Sequence, residues 1–151
     1  MEFKLPRWEE LPDMDLYLEQ VLSLLDQWLG GRLPGRSKKV LTRTMVNNYV
    51  KQKIIPAPVN KKYEKRSVAA LFLIAYLKSI YAISDIARLI SLAMSKDDMA
   101  VAYNKFCEFT EQAVGEVYAD AEGYEEMDYL MKSVAGSFAC QLFVMKEHLK
   151  K

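Results

Sequence analysis

Apolar residues recur along this chain mostly at spacings of three and four, the period of a helix with one buried face. Leu18, Val21, Leu22, Leu25, Trp28 and Leu29 form the first such run, and Gly30-Gly31 ends it. Asp13 is read as its cap, with Asp15 in the positive first turn. In the next run Thr42 caps a helix whose apolar face is Met45, Val46, Tyr49 and Val50. Ile54-Ile55-Pro56-Ala57-Pro58 must stop that helix, because the residue before a proline is pushed out of the α region. Asn60 can turn the extended segment that follows, so a short two-stranded ribbon is expected between Ile55 and Tyr63. Val68 to Ile80 leaves almost no polar side, with Ser67 as the predicted cap. A helix apolar all round is buried all round, which makes this the expected centre of the core.

Further on, Ser84 opens a short helix with Ile86, Ala87, Leu89, Ile90 and Ala93 inward. Ser95-Lys96-Asp97-Asp98 caps a longer one carrying Val101, Ala102, Phe106, Phe109, Ala113 and Val117. Beyond Ala121-Glu122-Gly123, a last helix bears a stripe of Met127, Leu130, Met131, Val134, Phe138, Leu142, Met145 and Leu149. Ahead of all these, Leu5 to Pro12 is an irregular arm that Trp8 should dock onto the body. There is no internal repeat and no alternating strand pattern. The predicted class is all-α.

Charge changes the picture of the middle of the chain. The 151 residues, 51% of them hydrophobic, suffice for one ordinary core, and their net charge is only +1. Yet eleven basic residues fall between Gly30 and Arg66, against the single acid Glu64. That window surrounds the helix from Thr42 to Lys53, whose polar face holds Asn47, Asn48, Lys51 and Gln52. Asn and Gln bond two edge atoms of adenine in a major groove, and Lys reaches guanine or phosphate. The pattern therefore predicts an electrostatic footprint for double-stranded DNA. Arg43, Thr44, Asn47, Asn48 and Lys51 are the expected base contacts. Arg36, Lys38, Lys39, Lys61, Lys62, Lys65 and Arg66 are the expected phosphate contacts.

Other chemistry finds little support. His148, the one histidine, lies beside the closing lysines and is read as solvated. Cys107 and Cys140 are read as reduced and buried on helices, and no CxxC or HxxxH spacing accompanies them. Glu122, Glu125, Glu126 and Asp128 suit the positive start of the last helix. No phosphate loop or nucleophile elbow is present, so no enzyme, no metal and no cofactor is expected. Met1 to Pro12 lacks the apolar centre of a signal peptide, and no stretch approaches the ~20 apolar residues of a membrane span. A cytoplasmic location without membrane contact is expected.

The order of these features resembles the DNA-binding domain of the MerR regulators. The resemblance rests on Val46, Tyr49, Lys53-Ile54-Ile55-Pro56, Tyr63, Leu71, Ile74, Leu77 and Ile83-Ser84-Asp85-Ile86, over about Leu41 to Leu92. Where that family carries Arg-Tyr and a glycine at the helix end, this chain has Asn47-Asn48 and Lys53. The stretches LPRWEELPDMDLYLEQV and LTRTMVNNYVKQKIIP make the whole chain similar to a bacterial family described as a domain of unknown function. The resemblance implies a winged helix-turn-helix domain over residues 1–95 and a C-terminal helical hairpin over 96–151. The implied function is transcriptional regulation through DNA, with no small-molecule effector assigned. The alternative is a protein-interaction module that keeps the fold and binds an acidic partner. Met127, Met131, Val134, Phe138, Leu142 and Met145 would form the seam of a homodimer.

Overall fold

The computed structural model describes residues 1–35 and 38–150. Its regular structure is helical apart from one two-residue strand pair, in keeping with the all-α expectation. The chain divides into two compact units, Lys4–Phe109 and Met1–Phe3 with Thr110–Lys151. The division falls inside a helix, whereas the sequence reading put a boundary at 95/96.

In the larger unit, α1 spans Leu18–Leu29 and buries Leu18, Val21, Leu25 and Leu29. It starts later than the Asp13 cap implied. Leu16–Tyr17 is a strand, β1, paired antiparallel with β2, Lys62–Tyr63, so that Leu16 faces Tyr63 and Tyr17 faces Lys62. Leu16 and Tyr63 are both buried, and this pairing satisfies backbone that a longer helix would otherwise have to bond internally. Gln20 Oε1 closes the helix start by accepting the Tyr17 N–H at 2.8 Å. Gly30 ends α1 where expected, and only glycine fits there. A Cβ would lie 2.4 Å from the Asp26 carbonyl oxygen. Asp26 Oδ1 also accepts the Val40 N–H at 2.9 Å, which ties the far end of the following loop back to α1.

The central helix α3, Lys65–Leu77, buries an unbroken run from Ser67 to Ala69 and another from Leu71 to Ala75. Ser67 is therefore inside the helix rather than its cap, and Glu64 takes the N-cap position. α4, Ile83–Met94, is shallower. Ile86 is fully buried, while Ala87, Leu89, Ile90 and Ala93 are half-buried. α5, Met99–Ala121, begins where Asp98 Oδ1 accepts the Val101 N–H at 3.0 Å. Its first turns bury Met99, Ala102, Tyr103 and Cys107, and they hold the N-terminal arm. Tyr103 donates its hydroxyl to the Pro6 carbonyl at 2.7 Å, and Asn104 Oδ1 accepts the Trp8 N–H at 2.8 Å. The Trp8 ring meets Tyr103 edge-on at 6.5 Å. The arm is docked as predicted, with its own Leu5 and Leu11 buried.

In the smaller unit, α6 spans Glu126–Val144 and a π-turn follows at Met145–Leu149. Glu125 caps α6 by accepting the Met127 and Asp128 N–H groups, both at 3.1 Å. No residue of α6 is buried. This corrects the reading of Cys140, which is exposed. Cys107 is buried, and both thiols are free. On α5, Val101, Phe109, Ala113 and Val117 are exposed, while Ala102 is buried and Phe106 half-buried. Leu149 departs the other way and is buried, so it leaves the exposed stripe. Among the described residues no helix is long and apolar enough to cross a membrane.

Candidate functional site

The proposed reading helix, α2, spans Arg43–Lys51. Thr42 caps it as expected, its Oγ1 accepting the Met45 N–H at 3.2 Å. Val46 and Tyr49 are buried, and burial pushes the Tyr49 phenol above its ordinary value. The helix ends in a Schellman turn. The Ile54 N–H donates to the Tyr49 carbonyl at 2.9 Å and the Lys53 N–H to the Val50 carbonyl at 3.0 Å. Lys53 takes the left-handed conformation, φ 60°, that this turn reserves for glycine. The lysine at that position thus keeps the same backbone path. With the buried side fixed, Arg43, Thr44, Asn47, Asn48 and Lys51 all come out exposed on the opposite face of α2.

Beyond the prolines the chain makes a two-residue hairpin. Val59 and Lys62 exchange both backbone hydrogen bonds at 3.0 Å. Asn60 and Lys61 between them have φ of 52° and 66°, the type I′ turn that matches strand twist. Lys61 is exposed at the tip, while Lys62 lies with its ammonium 5.0 Å from the Tyr17 ring centre. Hairpin and α2 enclose a cleft of about 230 Å³ lined by Tyr17, Glu19, Arg43, Asn47, Lys61 and Tyr63. In it, Arg43 donates to Glu19 and forms an ion pair, and that hydrogen bond holds the Glu19 carboxyl below its ordinary range. Burial raises the Tyr63 phenol, and the Arg43 charge opposes the rise.

The remaining cations are placed unevenly. Lys38, Lys39 and Arg66 are exposed, and Arg36 lies outside the described residues. Lys65 is engaged elsewhere. Its Nζ is 2.6 Å from Asp13 Oδ1 and 4.9 Å from the Trp8 ring centre, with the side chain only 17% exposed. Reaching a phosphate would mean giving up the arm. Sequence reasoning did not find Glu19 or Tyr17 as part of the site. Both precede or begin α1, far from α2 in sequence, and the β1–β2 pairing sets Tyr17 beside the hairpin while Glu19 meets Arg43. The seam residues lie elsewhere, on α6, with Met127, Met131, Val134 and Phe138 between 55% and 66% exposed. Leu142 and Met145 are exposed too. His148 packs edge-on against Phe143 at 5.6 Å. Among the described residues no three His, Cys, Asp or Glu side chains gather as a metal site would require.

A family model described as Domain of unknown function (DUF1836) matches residues 6–106, and the chain belongs to that family. No curated protein and no solved structure matches the chain.

Proposed function

We propose that the protein is a DNA-binding transcriptional regulator whose larger unit works as a MerR-like winged helix-turn-helix. The observation that carries this reading is the exposed face of α2, where two asparagines stand between Arg43 and Lys51 with the basic hairpin tip beside them. A helix with its side chains is ~10–12 Å across, which fits a major groove ~12 Å wide. Asn47 and Asn48 offer paired donor and acceptor groups for adenine, and Arg43 and Lys51 offer donors for guanine. Lys61 on its rigid turn, with Lys38, Lys39 and Arg66, would hold phosphates and fix the register. Nothing in this chemistry makes or breaks a bond, so the role is binding.

The second reading is a module for an acidic protein. It is favoured by two cations of the basic window that, among the described residues, already bind carboxylates, Arg43 with Glu19 and Lys65 with Asp13. Selection from a random duplex pool at fixed salt separates the two. Enrichment of one sequence, bound at least ~10³-fold tighter than random duplex, supports the regulator. Salt-dependent binding without enrichment supports the acidic partner.

A further inference from the structure

A second cleft opens at the start of α3, wholly within the larger unit. It holds about 290 Å³. That is just under the ~300–1,000 Å³ of sites for drug-sized molecules, so it suits a smaller guest. Its inner surface is aliphatic. Ile55 and Met99 are buried there, and Ile54, Ile90 and Met94 are half-buried. Methionine is flexible and shapes itself to an irregular apolar guest.

The polar lining comes from one turn of chain, Glu64, Arg66 and Ser67. Ser67 is 2% exposed. Its N–H donates to the Glu64 carbonyl at 3.0 Å, but its hydroxyl has no hydrogen-bond partner among the described residues. No polar side-chain atom there is both sealed from solvent and unpartnered, so this hydroxyl opens into the cleft. A buried hydroxyl in that state lacks the hydrogen bond that such groups ordinarily make, and a bound group can supply it. The wall around it is positive. The first turn of α3 holds Lys65 and Arg66 and no acid, and the Glu64 side chain does not cap its N–H groups. The helix dipole therefore adds to the Arg66 charge instead of being offset by an acid. Among the described residues neither Arg66 nor Glu64 makes an ion pair.

These groups select by charge. A carboxylate is drawn to Ser67, Arg66 and the helix start, but alone it also meets Glu64. An amine alone meets Arg66 and the same positive helix start. A molecule carrying both on one carbon satisfies both sides, and an aliphatic chain on that carbon covers the apolar inner surface.

We infer that this cleft binds a free α-amino acid with an aliphatic side chain, its carboxylate on Ser67 and Arg66 and its ammonium on Glu64. The inference does not depend on DNA binding, with which it shares Arg66 alone. Titration calorimetry on the full chain tests it with leucine, isoleucine, valine and methionine. Leucinamide, which lacks the carboxylate, and isocaproate, which lacks the amine, serve as comparisons. The best of the four amino acids should bind at one site, at least ~10-fold tighter than either comparison compound. Ser67→Ala and Arg66→Gln should each weaken it about 10-fold or more, with unchanged circular dichroism, since neither side chain bonds within the fold. Glu64→Gln should narrow the gap between isocaproate and leucine. No saturable binding of any of the four up to about 10 mM would overturn the inference. Isocaproate or leucinamide binding the wild type as tightly as leucine would overturn the amino-acid class. Binding that survives both Ser67→Ala and Arg66→Gln would overturn the assignment to this cleft.

Discussion

Replacing Tyr103 by phenylalanine probes the grip of α5 on the N-terminal arm. The Tyr103 side chain is fully buried, and its hydroxyl donates to the Pro6 carbonyl at 2.7 Å. Without it, that carbonyl is left with the Cys107 thiol, at 3.6 Å and a weak donor. Losing one buried hydrogen bond and leaving its acceptor poorly satisfied costs ~1–2 kcal/mol at neutral pH. The difference should then change with pH. Burial, reinforced by Cys107, pushes the Tyr103 phenol far above the 10.0 of a free tyrosine. The raised value means that its contribution is complete below pH ~10, where folded and unfolded chains are both protonated. Above that, the unfolded chain ionises Tyr103 while the folded chain keeps it neutral, and stability falls by ~1.4 kcal/mol per pH unit. The variant, with no phenol at this position, has no such loss. Urea unfolding followed by the fluorescence of Trp8 and Trp28, from pH 7 upward, should show the variant weaker at first. The two curves should meet near about pH 11. Every other ionisable group is common to both proteins and drops out of the comparison. Curves that stay parallel across this range would refute a buried, neutral Tyr103 and with it the docking of the arm described above.

Other outcomes follow from single side chains. Ile74 is wholly inaccessible, so Ile74→Ala should cost ~2–5 kcal/mol by denaturant unfolding, and a loss under ~1 kcal/mol would contradict a core centred on α3. Lys53 holds a left-handed backbone that penalises any Cβ, so Lys53→Gly should raise stability by up to ~1 kcal/mol, the entropy of glycine offsetting part of the gain. Arg43 holds the Glu19 carboxyl below its ordinary range, so the pair is complete at neutral pH and is lost only as pH falls through that lowered value. Glu19→Gln should free Arg43 and steepen the dependence of log duplex affinity on log salt by about 1, and an unchanged slope would remove Arg43 from the interface.

Helices were legible in the sequence wherever a cap and a stop bracket an apolar period. Thr42 and the Ile-Ile-Pro run bound α2 to within a residue or two, and the lack of a polar side gave α3 as core. β1 was not legible. It is two residues long, it abuts a helix with the same apolar spacing, and it exists only because Lys62–Tyr63 arrives beside it from far along the chain. The same distance hid Glu19 from the site. Counting charge identified the basic window but could not tell a cation open to solvent, such as Lys61, from one already committed, such as Lys65. The apolar period of α6 was legible, except that Leu149 at its end is buried. Periodicity does not say what covers it, so Cys140, on the same helix, was assigned to an interior that this helix does not have.

The bond from Tyr103 to Pro6 also bears on how the chain folds. It joins positions 97 apart, and closing a loop of that length costs on the order of 4 kcal/mol in chain entropy. Contacts this distant form late, once local helices have reduced the freedom of the intervening chain. On the ribosome, α1 to α4 emerge before Tyr103 does, so the Pro6 carbonyl waits without the Tyr103 hydroxyl through most of synthesis. The first residues made are among the last to find their place, and a chain truncated before Tyr103 would leave its own beginning exposed.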